Sequence, residues 1–134
     1  MNGIAEFVLR GGQGVTTAQM MEFSRKIPLL RLKVETMRDS GVPHLHDQTM
    51  FLARYAEDVL DGVYQSNDIS AIMETVFALQ YFFKGVDIIP DDVPEIGFKD
   101  DSAIVRTVLN GHAQEFREFA AANSLDFDRL TLEA

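Results

Sequence analysis

Apolar residues recur along most of this chain at steps of three and four, the spacing of one helix face. Met20, Phe23, Ile27, Leu30, Val34 and Met37 form the first long stripe, and it stays in phase across Pro28. Thr16 and Gln19 just ahead of it fit a capping box, so a helix is expected to start at Thr17 and continue, kinked, through the proline. The stripe is too short for a coiled coil and reads as intramolecular core, with a dimer seam as the alternative. Leu52, Tyr55, Ala56, Val59 and Val63 predict the inner face of a second helix over about 48–64.

Residues 69–84 are apolar nearly all round, with Ile72, Met73, Val76, Phe77, Leu79, Tyr81, Phe82 and Phe83. Such a helix is either the centre of a bundle or lies in lipid. Its uninterrupted apolar run is well short of the ~20 residues of a membrane span, so it is read as the buried hub. Lys84 followed by Gly85 and Val86 supplies a C-terminal signal. A fourth helix over about 101–122 carries Val105, Val108, Leu109, His112, Phe116 and Phe119 on one face. No alternating strand pattern occurs. The expected fold is therefore all-α, a small bundle of about four helices forming a single domain over residues 1–134.

The segments between helices carry the more individual residues. Residues 1–14 hold a small apolar patch (Ile4, Phe7, Val8) and then Gly11, Gly12 and Gly14, which predict a flexible or peripheral N-terminal segment. No Gly-Lys-Ser/Thr follows, so this is no phosphate loop. His44, His46 and Asp47 offer metal-ligand types, but a zinc site needs three or four converging ligands. Asp47 is expected instead to cap the second helix, and Ser66, Asn67 and Asp68 to form a short turn.

Residues 87–104 form a stiff acidic stretch that follows the third helix and runs directly into the fourth. Pro90 and Pro94 fix the backbone, Gly97 suits the end of a turn, and Ile88, Ile89, Val93, Ile96 and Phe98 are expected to pin the loop on the core. Six acids (Asp87, Asp91, Asp92, Glu95, Asp100, Asp101) face one cation, Lys99, giving −5. Capping explains them: Asp87 after the third helix, Asp91 or Asp92 at the turn, Asp100 or Asp101 at the N-terminus of the fourth. A hard-cation site for Mg²⁺ or Ca²⁺ at Asp87, Asp91, Asp92, Asp100 and Asp101 is the competing reading. The spacing is not that of an EF-hand.

The run Asp87-x-Ile-Pro90-Asp91-x-x-Pro94-x-x-Gly97-x-x-Asp100-Asp101 resembles the core of the YkvA-type bacterial domain family, over about residues 50–110. That family has no agreed activity, so the resemblance implies a helical fold and these motif positions, not a reaction. Where the family often has Ser-Pro before the first Asp, this chain has Gly85-Val86. Many relatives carry a helix greasy enough for a membrane; here Glu74, Gln80 and Lys84 interrupt it.

Composition narrows the function classes. There is no cysteine, which excludes disulfides and thiolate chemistry. A net charge of −9 argues against nucleic acid, and no basic-plus-apolar leader is seen, so a cytoplasmic protein is expected. Charge is uneven: residues 1–38 hold six Lys/Arg and three Asp/Glu, and residues 39–134 hold six and eighteen, or +3 against −12. No Gly-x-Ser-x-Gly or His-Glu-x-x-His constellation occurs. His112 reads as a satisfied histidine on a core face, with a functional base as the rival. The leading expectation is a non-catalytic interaction or self-association module without a cofactor, working with a protein partner or another copy. A divalent-cation protein, hydrolytic or not, is the alternative. Peripheral membrane binding through the basic helix from Thr17 is the third.

Overall fold

The computed structural model describes residues 2–35, 45–84, 94–125 and 127. Among them are six helices and no strand: α1 (Asn2–Gln13), α2 (Thr17–Glu35), α3 (Leu45–Leu60), α4 (Ile69–Lys84), α5 (Pro94–Gly111) and α6 (Ala113–Ala122).

α2 starts where the capping box places it. Thr16 N–H donates to Gln19 Oε1 at 2.9 Å and Gln19 N–H to Thr16 Oγ1 at 3.1 Å, satisfying two amides at the helix start. Pro28 lies inside one continuous helix. Phe23, Ile27, Leu30 and Val34 are buried, so the first stripe is intramolecular core. Arg31 pairs with Glu57 of α3, and Glu35 faces His46 near the start of α3. Later residues of α2 thus meet earlier residues of α3, and the two helices run antiparallel.

α4 is the hub. It packs against α1, α2, α3 and α5, and Ala71, Ile72, Val76, Ala78 and Leu79 are buried along it. A second aromatic core joins α3 to α6, where Tyr55 meets Phe116 edge-on at 4.9 Å and Phe119 at 5.2 Å. Phe127 is buried against Phe51 and Phe116. Edge-to-face pairs add about 0.5–1.5 kcal/mol each beyond the area they bury.

Several expectations change. The glycines expected to form an N-terminal joint belong to α1 and the turn after it. Gly11 faces the Phe77 ring and Gly12 faces Glu74, with no room for a Cβ at either, so their small size lets α1 lie directly on α4. Phe7 completes the contact with Phe77 and Tyr81 at 5.3 and 5.6 Å.

Helix α5 begins at Pro94, a residue preset for the first helical position. Gly97 is therefore helical rather than the end of a turn. Asp100 and Asp101 lie inside α5, so neither is its N-cap. Asp47 likewise sits in the first turn of α3, which starts at Leu45, instead of capping it.

The expected fourth helix is two. His112 interrupts it with φ −129° and ψ 39°, and α6 follows. Finally, α3 stops at Leu60. Gly62 adopts a positive φ of 79°, which glycine tolerates, and Val63 turns outward instead of joining the inner face.

Candidate functional site

The polar side chains that converge inside the fold are not those of the acidic loop. Asp87, Pro90, Asp91 and Asp92 lie outside the described residues. Pro94, Gly97, Asp100 and Asp101 have helical backbones within α5. Among the described residues no group of three or more His, Asp or Glu is placed to hold a metal ion. His46 meets Asp47 at 3.0 Å and Glu35 at 3.4 Å, and His44 lies outside the described residues.

His112 is the centre of a built cluster. Its Nδ1 lies 3.0 Å from Asp68 Oδ2, and its Nε2 lies 3.0 Å from Glu74 Oε1. The one ring and two acids come from three places: the break between α5 and α6, the connection before α4, and α4 itself. Asp68 works twice. Its Oδ1 accepts from the amides of Ser70 (3.0 Å) and Ala71 (3.3 Å), capping α4, while its Oδ2 faces the imidazole. The His112 and Glu74 side chains are only 13% and 11% exposed, so screening by solvent is weak there.

A second set of groups adjoins the first. The Glu115 carboxylate is buried on α6, and its Oε2 accepts from the Tyr55 hydroxyl at 2.7 Å and lies 2.7 Å from Ser66 Oγ. The Asn67 amide approaches Oε1 at 3.4 Å. Ser66 Oγ accepts from the Asp68 amide at 3.1 Å, which ties the two sets together. Burial pushes the Tyr55 hydroxyl far above its ordinary range. Ser66 acts the other way, and the Glu115 carboxylate adds to the rise. Tyr64 is raised too, by burial first and then by the charges of Glu115 and Glu118.

This arrangement holds elements together. Both imidazole nitrogens face carboxylates, so neither is offered to an open cleft, and the buried carboxylate is met by hydroxyls. It pins α3, α4 and α6 at one end of the bundle. Sequence reading singled out His112 but not its partners, which are 44 and 38 residues away. Glu115 was missed because a glutamate beside Phe116 gives no signal of burial. Asp68 enters the sequence reading only as part of the Ser66-Asn67-Asp68 turn.

A separate shallow groove of about 370 Å³ lies beside α3. Met50, Phe51 and Leu125 give it an apolar floor, with Arg31, Asp47 and Arg54 at its edges.

The outer surface carries a further feature. α2 is apolar on two opposite sides. Away from the core, Met21, Leu29 and Leu32 are 60%, 58% and 69% exposed. At 100° per residue they fall within one sector around exposed Arg25, opposite Phe23, Ile27, Leu30 and Val34. Among the described residues no helix is long and apolar enough to cross a membrane.

No curated protein and no solved structure matches this chain. The chain is similar over residues 71–106, from early α4 into α5, to a family described only as a protein of unknown function (DUF1232), a match compatible with the YkvA-type resemblance.

Proposed function

We propose that this protein is a non-catalytic helical module that works by association, and that the outward face of α2 is its docking surface. The observation that carries this is the second apolar side of α2. A surface helix needs one apolar side for its own core, and Phe23, Ile27, Leu30 and Val34 already provide it. Met21, Leu29 and Leu32 add nothing to that core, and three large apolar side chains grouped on one sector are the kind of patch that marks an interface. The polar cluster around His112 fits the same reading, because it rigidifies the scaffold and leaves no ring nitrogen aimed at a substrate.

The test is photo-crosslinking in living cells with benzoylphenylalanine at position 29 or, as a control, at exposed position 5 on α1. Adducts above the monomer mass are expected at position 29 well in excess of position 5. Equal yields, or none at position 29, overturn the reading.

A further inference from the structure

The outward face of α2 has a counterpart elsewhere on the same chain. Residues 17–35 hold four Lys/Arg and two Asp/Glu, so this helix is basic as well as apolar. Residues 55–83 hold five Asp/Glu and no Lys or Arg at all. Within that cation-free run lies the connection from α3 to α4, where Val63 is 75% exposed, and Ile69, the first residue of α4, is 66% exposed. Asp61 is exposed two residues before Val63, and Asn67 holds the Glu118 carboxylate of α6 at 3.3 Å, which adds another negative charge beside the connection.

The connection is held in shape. The amides of Val63 and Tyr64 both donate to the Asp58 carbonyl, at 2.8 and 3.0 Å, and Gly62 supplies the positive φ that makes this turn. Further along, Ser66 and Asp68 are locked by the Glu115 and His112 contacts. Two apolar side chains on a fixed, acidic turn can be buried by a partner with little ordering cost.

We infer that the occupant of the α2 face is a second copy of this chain, presenting Val63 and Ile69 with their surrounding carboxylates. This rests on the association reading above and names its partner. Apolar side chains meet apolar side chains, and the Arg25 side of α2, where Lys26 already faces Glu22 at 3.9 Å, meets Asp61 and Glu118. A symmetric α2-to-α2 contact is opposed by charge, since it sets the cations of both helices together. The two surfaces differ, so the contact is heterologous. Each copy keeps one unused surface of each kind, and association continues into a closed ring or an open chain.

The experiment is sedimentation velocity with light scattering, on the full chain over a range of concentrations at low and high salt. Two variants go with it: Leu29→Glu/Leu32→Glu on α2, and Val63→Ser/Ile69→Ser on the connection and the first residue of α4. All four positions are exposed, so folding is expected to survive, and circular dichroism checks it. The wild type is expected to gain mass with concentration, less so at high salt. Either variant alone is expected to weaken association by about tenfold or more. Mixed together, the variants have one intact surface each and are expected to form a 1:1 complex that grows no further.

A wild type that associates and loses this only in the α2 variant, with no complex on mixing, indicates a symmetric contact. That overturns the inference and leaves the α2 docking face standing. A wild type that stays monomeric at every concentration also overturns it, and crosslinks from position 29 to other proteins then decide the broader reading.

Discussion

Gly12 of α1 lies so close to Glu74 of α4 that a Cβ on the glycine would stand 2.5 Å from Glu74 Cγ and 3.2 Å from its Cα. The same glutamate meets His112 on another side. The N-terminal helix therefore rests directly on one member of the interior polar cluster.

Gly12→Ala is expected to destabilise the protein by about 1–3 kcal/mol through overpacking. This outweighs the ~1 kcal/mol that alanine gains as a helix former. Gly14→Ala, whose Cβ would find only ordinary contacts at 3.6 Å and beyond, is expected to be near neutral. Thermal unfolding of the two variants checks the contrast, and equal melting temperatures would argue that α1 does not pack on α4 as described.

Removing the imidazole partner of the largely buried Glu74 carboxylate leaves that carboxylate uncompensated. His112→Ala is expected to cost about 2–4 kcal/mol. A double-mutant cycle with Glu74→Gln is expected to give a coupling of about 1–3 kcal/mol. Urea titrations of the four proteins provide it. A coupling near zero would mean that the two side chains do not meet in solution.

Tyr55 gives the fold a dependence on alkaline pH. Its hydroxyl is raised in the folded state by burial and by Glu115, while in the unfolded chain it titrates near 10. Above that pH the unfolded state loses a proton that the folded state keeps, so the contribution of Tyr55 is complete below about 10 and is lost as pH rises toward the folded value. Unfolding free energy measured across this range is expected to fall with pH, and less steeply in Tyr55→Phe. Below it, the same variant is expected to be about 1–3 kcal/mol less stable, because the buried Glu115 loses a donor. Parallel pH profiles for wild type and variant would contradict this account.

The two sides of α2 predict opposite mutational behaviour. Leu30, fully buried, is expected to cost about 2–5 kcal/mol on replacement by alanine. Leu29→Ala, one residue away and exposed, is expected to stay within about 0.5 kcal/mol of wild type. Denaturant midpoints compare them directly, and a large loss from Leu29→Ala would place that residue in the core.

Helices whose ends are written locally were legible in the sequence. Thr16 with Gln19 marks the start of α2, and Lys84 marks the end of α4. Features that depend on distant partners were not. Gly11 and Gly12 look like a joint until Phe77 and Glu74 are seen against them. Pro94 reads in sequence as a loop residue because acids that suit caps surround it, yet proline also suits a first helical turn. The outward side of α2 was hidden by its own periodicity, since two apolar faces on one helix cancel in any measure of amphipathicity. Val63 continues the spacing of the α3 inner face in sequence, but α3 stops at Leu60 and the positive φ of Gly62 breaks the phase before Val63.

The contact between α1 and α4 also sets an order of events during folding. α1 is near the start of the chain, but the surface it needs at Glu74 and Phe77 is some sixty residues further on. The antiparallel pair α2 and α3 closes across a short connection, whereas α1 must close a long loop onto a helix that has yet to be synthesised. At ~5–20 residues per second, α1 spends seconds without its binding surface. Pulse-labelled hydrogen exchange during refolding is expected to show α1 amides protected after those of α2 and α3. α1 is made before α2 and α3 but docks after they have paired.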